Sequence, residues 1–397
     1  MRILMPTDVY FPRVNGVSSS IRWFARELVR RGHEVCVVAP EYAGDAHIED
    51  FELVRLPART IFFDPEDRLI KGAAMRGAMR SLATRRWDVV HVHTPFQAHR
   101  IGTFLRREQG VAVVESYHTF FGQYVAHYLP YAPASWLRFA ARFLSRRICA
   151  GIDHLIVPSR EMSAVLDGYG IATERTVLPT GLDLREFAGG DGATFRAANG
   201  IAPGRPVIVT VSRIAREKHI DRILEAVALL RTDFPGLLLL VAGEGPDLPR
   251  LRARTKALGL DEHVRFFGNL DRRTTLLDFY RAGDVFAFAS PTETQGLVLI
   301  EAMALSVPIV STAVMGTATV LEGTRCARIA PDDAAGFAAT LAEVLRDQTL
   351  RARLSAAGPL DASRWSAESI MDRAEALYES LATRGRRSAP SAIVPEA

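Results

Sequence analysis

The sequence predicts an α/β protein of two Rossmann-like parallel-sheet domains, and three observations carry that prediction. Short apolar runs alternate with amphipathic stretches along the chain, the pattern of strand–helix–strand units. The first unit, Arg2–Thr7, Ile21–Arg31 and Glu34–Ala39, has Gly16 in the loop between strand and helix, where phosphates approach doubly wound sheets. A second series starts with Pro206–Val211 and His219–Leu230, after the Gly- and Ala-rich stretch Ala188–Pro206, so the boundary and a hinge fall near residue 185.

At 397 residues, 48% hydrophobic and 24% charged, the chain has the composition of an ordinary globular protein with room for two or three domains. No apolar run approaches the roughly 20 residues of a membrane span. Met1–Pro6 reads as a first strand rather than a signal peptide, and Cys36, Cys149 and Cys326 are scattered without metal-ligand spacing. These features predict a cytoplasmic protein with no metal site. The net charge of +4 sits in the first half, and only Lys71, Lys218 and Lys256 are lysines among 49 basic residues. In so Arg-rich a chain, a lysine hints at a need for a compact ammonium.

Within the first half, Asp8–Ser20 is a turn-rich loop containing Asn15-Gly16; the G-x-G-x-x-G of dinucleotide sites is absent. Phe51–Leu56, Asp88–His93, Gly110–Tyr117 and His154–Pro158 read as further strands. His118 follows a strand at its carboxyl end, where ligands bind such sheets; a capped or solvated histidine fits the residues as well. His91 and His93 are structural or acceptor-side candidates.

Two stretches, Arg68–Trp87 and Ser116–Ile152, are basic without any acid. In the second, Arg138, Arg142 and Arg146 share one helix face by four-residue spacing, with Trp136, Phe139, Ala140, Phe143 and Leu144 expected opposite. A basic, aromatic helix can lie on an anionic bilayer. An ordinary helix with its apolar face in the core and its arginines in water fits the same pattern. No nucleic-acid module is recognisable.

In the second half, Arg213 and Lys218 stand between a strand end and a helix start, where the pair can neutralise a diphosphate or be plain surface cations. Leu237–Ala242 leads into Gly243-Glu244-Gly245-Pro246, and Val264–Phe267 into Gly268-Asn269-Leu270. The central stretch follows: strand Asp284–Ala289, loop Ser290–Gly296, and a helix from Leu297. Gly296 allows close approach to the backbone, and the free N–H groups of Leu297 and Val298 at the helix start favour an anion. Glu293 and Glu301 bracket the turn as acceptors suited to vicinal hydroxyls; Glu301 lies in a mostly apolar stretch and is expected to face a site.

Glu293 and Glu301, a Glu, seven residues and a Glu at a strand-to-helix turn, resemble the family 4 retaining glycosyltransferases, whose fold is GT-B. Arg213 and Lys218 match that family's diphosphate-binding pair, and His118 and Gly16 match its donor-contacting positions. The loops Val14-Asn15-Gly16-Val17, Tyr117-His118-Thr119 and Thr292–Gly296 look most like members that glycosylate lipids, such as diacylglycerol glucosyltransferases and phosphatidylinositol mannosyltransferases. The resemblance runs from about Arg2 to Leu381.

It implies two domains facing a central cleft: 1–185 on the acceptor side, 186–364 for the nucleotide sugar, a helix over 365–382 crossing back to the first domain, and a disordered tail over 383–397. It further implies transfer of a hexose from UDP-glucose or GDP-mannose to an acceptor, a membrane glycerolipid. His118, Arg213, Lys218 and Glu293 would be catalytic. Gly16, Gly268, Gly296, Leu297, Val298 and Glu301 would bind donor, and Trp136, Arg138, Arg142 and Arg146 would face membrane or acceptor. No cofactor is implied beyond the nucleotide diphosphate sugar as substrate. The partners implied are that donor, a lipid acceptor and an anionic membrane surface, with the protein peripheral on the inner face of the cytoplasmic membrane. A soluble or polysaccharide acceptor, a nucleotide-sugar epimerase or phosphorylase of the same fold, and a non-catalytic sugar-nucleotide binder are the alternatives.

Overall fold

The computed structural model describes residues 1–13, 16–42, 48–61, 64–117 and 134–388. The chain divides into two compact units, Met1–Thr180 with the chain from Ile370 onward, and Gly181–Ser369.

The strands of the first unit are β1 (Arg2–Pro6), β2 (Glu34–Pro40), β3 (Glu52–Leu56), β4 (Ala58–Ile61), β5 (Asp64–Ile70), β6 (Val89–Val92), β7 (Ala112–Ser116), β8 (His154–Val157) and β9 (Arg175–Val177). Seven form a parallel sheet in the order β3-β2-β1-β6-β7-β8-β9, while β4 and β5 pair as an antiparallel hairpin. The order reverses at β1, the point where doubly wound sheets open a crevice. Its helices are α1 (Gly16–Arg30), α2 (Gly72–Ala83), α3 (Gln97–Gln109), α4 (Ala134–Ile148) and α5 (Arg160–Gly168).

Helix α1 starts five residues before the expected Ile21. Ser18 and Ser20 read as turn formers, yet both are buried, and the Ser20 hydroxyl bonds that of Thr180 at 2.8 Å. Tertiary contact overrides their local preference. Ile21, Phe24 and Leu28 then pack on Ile3, Met5, Val35 and Val37 of the sheet.

The second unit holds β10 (Val207–Val211), β11 (Leu238–Ala242), β12 (Val264–Phe266), β13 (Val285–Phe288), β14 (Ile309–Ser311) and β15 (Ala327–Ile329), parallel in the order β12-β11-β10-β13-β14-β15. Its helices are α6 (Gly192–Ala198), α7 (Ile220–Leu230), α8 (Leu248–Ala257), α9 (Thr275–Arg281), α10 (Leu297–Ala304), α11 (Gly316–Leu321), α12 (Ala334–Arg346) and α13 (Gln348–Ser363). Successive residues of each strand enter opposite cores: Leu238 and Leu240 one, Leu239 and Val241 the other. This is why these strands are continuously apolar rather than alternating.

The last helix, α14, spans Ala367–Ser388. It starts beside Leu182, which exchanges backbone hydrogen bonds with Trp365 and Ala367, and then buries Ile370, Met371, Ala374 and Tyr378 in the core of the first unit. The tail expected from 383 therefore begins inside a helix, whose end is tied by an Arg384–Glu174 ion pair of 2.7 Å. Residues 389–397 lie outside the described residues.

Candidate active site

Five loops leave the carboxyl ends of β10 to β14 on one edge of the second sheet, and they carry the groups that the Glu–Glu turn singled out. After β10 the chain makes a 3-10 turn, Arg216–Lys218, and passes through His219 at φ 48° into α7. That left-handed residue, uncommon outside glycine, aims Lys218 across to the loop after β13. Its ammonium donates to Glu293 Oε2 at 2.6 Å, and both side chains are about four-fifths buried. Ser290 and Thr292 hydroxyls donate to the Glu217 carbonyl at 3.1 and 3.3 Å, pinning the two loops together.

The loop enters α10 through Gly296 at φ 87°. A Cβ there would meet Leu299 at 3.3 Å, so glycine serves both the left-handed conformation and the space. No side chain caps α10, so its start keeps an unsatisfied positive end at Leu297 and Val298. Gly316 N–H donates to the Glu293 carbonyl at 2.7 Å, and a Cβ on Gly316 would lie 2.2 Å from Thr294. The start of α11 thus clamps the loop from behind.

Glu301 is 1% exposed. Its carboxylate accepts from the Tyr280 hydroxyl at 2.7 Å and from the Arg272 guanidinium. Burial, with the carboxylate beside it, holds the Tyr280 phenol far above its ordinary pKa, so it stays a donor. Glu301 is turned away from bulk water onto Arg272 and Tyr280, two residues that sequence reading passed over. Arg272 carried no signal among so many arginines. Tyr280 lay within an apolar helix, where a hydroxyl partner only a fold could supply was missing.

The glycines of Gly243-Glu244-Gly245 have a different task from ligand approach. Cβ atoms there would lie 1.9 Å from the Ser212 carbonyl oxygen and 2.2 Å from that of Ile214. They let adjacent strand-end loops pack backbone to backbone. Gly268, at φ 69°, accepts from Gly243 N–H at 2.7 Å and joins the same edge. Arg213 is exposed on the β10 loop.

In the first unit, Gly16 opens α1 with open space around its Cα. His118 and Asn15 lie outside the described residues. His91 is structural: buried, it bonds the Ser116 hydroxyl at 2.8 Å and the Tyr378 hydroxyl at 2.6 Å. His93 is buried against it, ring centroids 3.9 Å apart. On α4 the expected opposition of arginine and aromatic faces is corrected. Arg142 and Arg146 donate to the Tyr169 carbonyl at 3.3 and 2.7 Å, and the core side is Ala141, Ser145 and Ile148. Trp136, Phe139 and Phe143 are 74%, 70% and 61% exposed. The Arg138 side chain is outside the described residues. Among the described residues no metal-binding group of three His, Cys, Asp or Glu is gathered, and no helix is long and apolar enough to cross a membrane.

Residues 191–361 match the family described as glycosyl transferases group 1, and residues 14–186 match glycosyltransferase family 4. Alpha-monoglucosyldiacylglycerol synthase of Streptococcus pneumoniae is 32% identical over 317 residues, which cover 78% of this chain and 71% of that protein. The chain belongs to glycosyltransferase family 4. Another relative of this family 4 enzyme is a GDP-mannose-dependent alpha-(1-6)-phosphatidylinositol dimannoside mannosyltransferase of Mycobacterium tuberculosis, 28% identical over 313 residues, 78% of this chain and 79% of that one. Among solved structures, sucrose-phosphate synthase from Thermosynechococcus elongatus superposes with a TM-score of 0.78 at 21% identity, over 97% of this chain and 100% of that chain. Anabaena Alr3699/HepE in complex with UDP gives 0.75 at 16%, over 96% and 100%. These likenesses establish the GT-B fold of the family 4 enzyme.

Proposed function

We propose that this glycosyltransferase moves a hexose from a nucleotide diphosphate sugar to a membrane glycerolipid, retaining anomeric configuration. The observation that carries the proposal is the Lys218–Glu293 pair beside the uncapped start of α10, with Glu301 buried one turn on. A diphosphate seated at Leu297 and Val298 takes the ammonium of Lys218 and the guanidinium of Arg213. Both then stabilise the charge that grows on the leaving group. Glu293, released from Lys218, turns to the sugar hydroxyls. Glu301, already held by Arg272 and Tyr280, receives the ribose hydroxyls, and the loop after Gly268 takes the base. His118 and Gly16 keep the donor-sugar contacts that the family resemblance implies. No second carboxylate stands as a nucleophile among these groups, so same-face attack with the departing diphosphate as base is the route. The site needs no cofactor beyond the donor.

The 1–185 region serves the acceptor and 186–364 the donor. The lipid acceptor is supported by relatives whose names specify diacylglycerol and phosphatidylinositol glycosylation. It is supported too by α4, whose Trp136, Phe139 and Phe143 are exposed; the enzyme then works peripherally on the inner face of the cytoplasmic membrane. The test is transfer of labelled sugar from UDP-glucose or GDP-mannose into organic-extractable material, with lipid vesicles as acceptor. Label in the lipid phase with one donor supports the reading and names the donor. Label that stays water-soluble with both overturns the lipid acceptor.

A further inference from the structure

The two carboxylates that bracket the α10 turn are each met by one cation, and the two pairs differ in where the carboxylate lies. Glu293 is 21% exposed beside Lys218. Glu301 is sealed in: its side chain is 1% exposed, in the middle of α10 between the buried Ile300 and Ala302. A carboxylate taken that far out of water costs free energy unless a counter-charge and hydrogen bonds meet it. Among the described residues the one cation bonded to Glu301 is Arg272, whose side chain stays 66% exposed while its guanidinium reaches Oε1. The Tyr280 hydroxyl gives a neutral hydrogen bond to Oε2 at 2.7 Å, and its ring packs on Phe286 with centroids 5.4 Å apart.

A short turn brings Arg272 there. The Asp271 carboxylate accepts from the Arg273 N–H at 3.0 Å and from the Thr274 hydroxyl at 2.8 Å, and the Leu276 N–H donates to the Asp271 carbonyl at 2.9 Å. The arginine is therefore held by the loop after β12 at one end and by Glu301 at the other. Glu186, on the 3-10 turn Leu184–Phe187, acts on the guanidinium through space. Helix α11 and strand β14, packed against α10, bring no titratable side chain. Helix α13 brings Arg351 and Asp361, both bonded to backbone groups elsewhere, and the exposed Arg353. Arg272 is thus the direct counter-charge of Glu301.

We infer that Arg272 is a positioning residue for the donor: it keeps the Glu301 carboxylate charged and aimed, so that this carboxylate accepts from both ribose hydroxyls. The inference rests on the reading of Glu301 as the ribose group, and it adds what makes that group an acceptor. An ionised carboxylate only accepts, whereas a carboxylic acid turns one oxygen into a donor and loses part of its capacity for a pair of hydroxyls. With the guanidinium removed, burial favours the neutral acid. Tyr280 cannot take over, because a phenol fixes direction but brings no positive charge. Arg272 acts through Glu301 on binding of the nucleotide, not on the bond that breaks.

The experiment is calorimetric titration of the full chain with UDP and GDP and, for whichever binds more tightly, with its 2′,3′-dideoxy analogue, near pH 6 and near pH 8. The ratio of the two affinities is the hydroxyl penalty, and it cancels the titration of phosphates and base that both ligands share. Wild type is expected to show a penalty of about a hundredfold, the worth of hydrogen bonds to a charged group, equal at both pH values. Arg272→Gln should show a penalty of only about threefold near pH 6, growing roughly fivefold by pH 8 as the buried carboxyl ionises. Arg272→Lys keeps the charge without the planar fork, and its penalty should stay within about threefold of wild type at both pH values. Arg273→Gln, at the exposed neighbouring position, should match wild type. Melting curves check the fold; should Arg272→Gln not fold, a penalty lost in Arg272→Lys at both pH values would overturn the inference. A wild-type penalty retained by Arg272→Gln at both pH values, or one reduced equally at both, would also overturn it while leaving the ribose reading in place. No penalty in wild type would defeat the ribose reading of Glu301, and this inference with it. Binding requires no acceptor, so the lipid reading plays no part in the outcome.

Discussion

The starts of α3 and α10 stand at corresponding places, each following a strand of a parallel sheet at its carboxyl edge, and they differ in what meets their free N–H groups. At α3 the carboxylate of Asp8, from the loop after β1, accepts from Phe96, Gln97 and Ala98 at 2.9 to 3.2 Å. That helix end is satisfied by the chain itself. At α10 the cap is Gly296, which brings no side chain. Its neighbours are Lys218 and Glu293, a pair that a stronger anion can separate. One fold plan therefore yields a closed helix end in the first unit and an open one in the second. Side-chain placement, not topology, decides which helix start is closed by the chain's own carboxylate and which is left uncapped.

The largest effect that would break the comparison comes from the open end. Lys218→Ala should lower kcat/KM about a thousandfold, in the upper range for removal of one electrostatic group from a reacting centre. The melting temperature should stay within a few degrees of wild type. Near-normal turnover in labelled-sugar transfer would remove the α10 edge as the reacting site. A smaller but more telling loss is expected from Gly316→Ala, because that residue has no chemistry of its own. Its Cβ would collide with Thr294 at 2.2 Å and push the Glu293 loop aside. Misplacement on this scale costs about a hundredfold in turnover. Circular dichroism should show the fold kept, and full activity would mean that the clamp does not position Glu293.

The closed end makes the smallest prediction, and it concerns pH. Burial raises Asp8 to about 6 despite its helix-start bonds, and raises Glu115, which is paired with His99 at 2.7 Å, to about 7. Both carboxyls hold protons more tightly folded than unfolded. The stability they contribute is complete below the ordinary carboxylate range, about 4, and is lost as pH rises through 6 and 7. Glu115→Gln, which cannot ionise, should therefore melt a few degrees above wild type at pH 8 and close to it at pH 5. An equal difference at both values would show that the Glu115 carboxyl does not titrate in this window.

Much of this was legible in the chain. Apolar runs of strand length, alternating with amphipathic helices and broken at Ala188–Pro206, determined two parallel-sheet halves, because buried parallel strands admit little else. The spacing of Glu293 and Glu301, Gly296 between them, and the lysine at 218 in an arginine-rich sequence determined where to look for the site. Local chemistry sufficed there, since a strand-to-helix turn fixes which loop residues share an edge.

Only the tertiary structure decided the partners. That Glu301 rests on Arg272 and Tyr280, that Gly243 and Gly245 serve loop packing, and that Asp8 closes α3 from roughly ninety residues away depend on contacts no local pattern encodes. The same holds for α4. Its periodicity showed two kinds of side chain, but which of them faces the core was settled by Ala141, Ser145 and Ile148 fitting the first unit. On α4 the inward face is Ala141, Ser145 and Ile148, while the larger Trp136, Phe139 and Phe143 stay exposed.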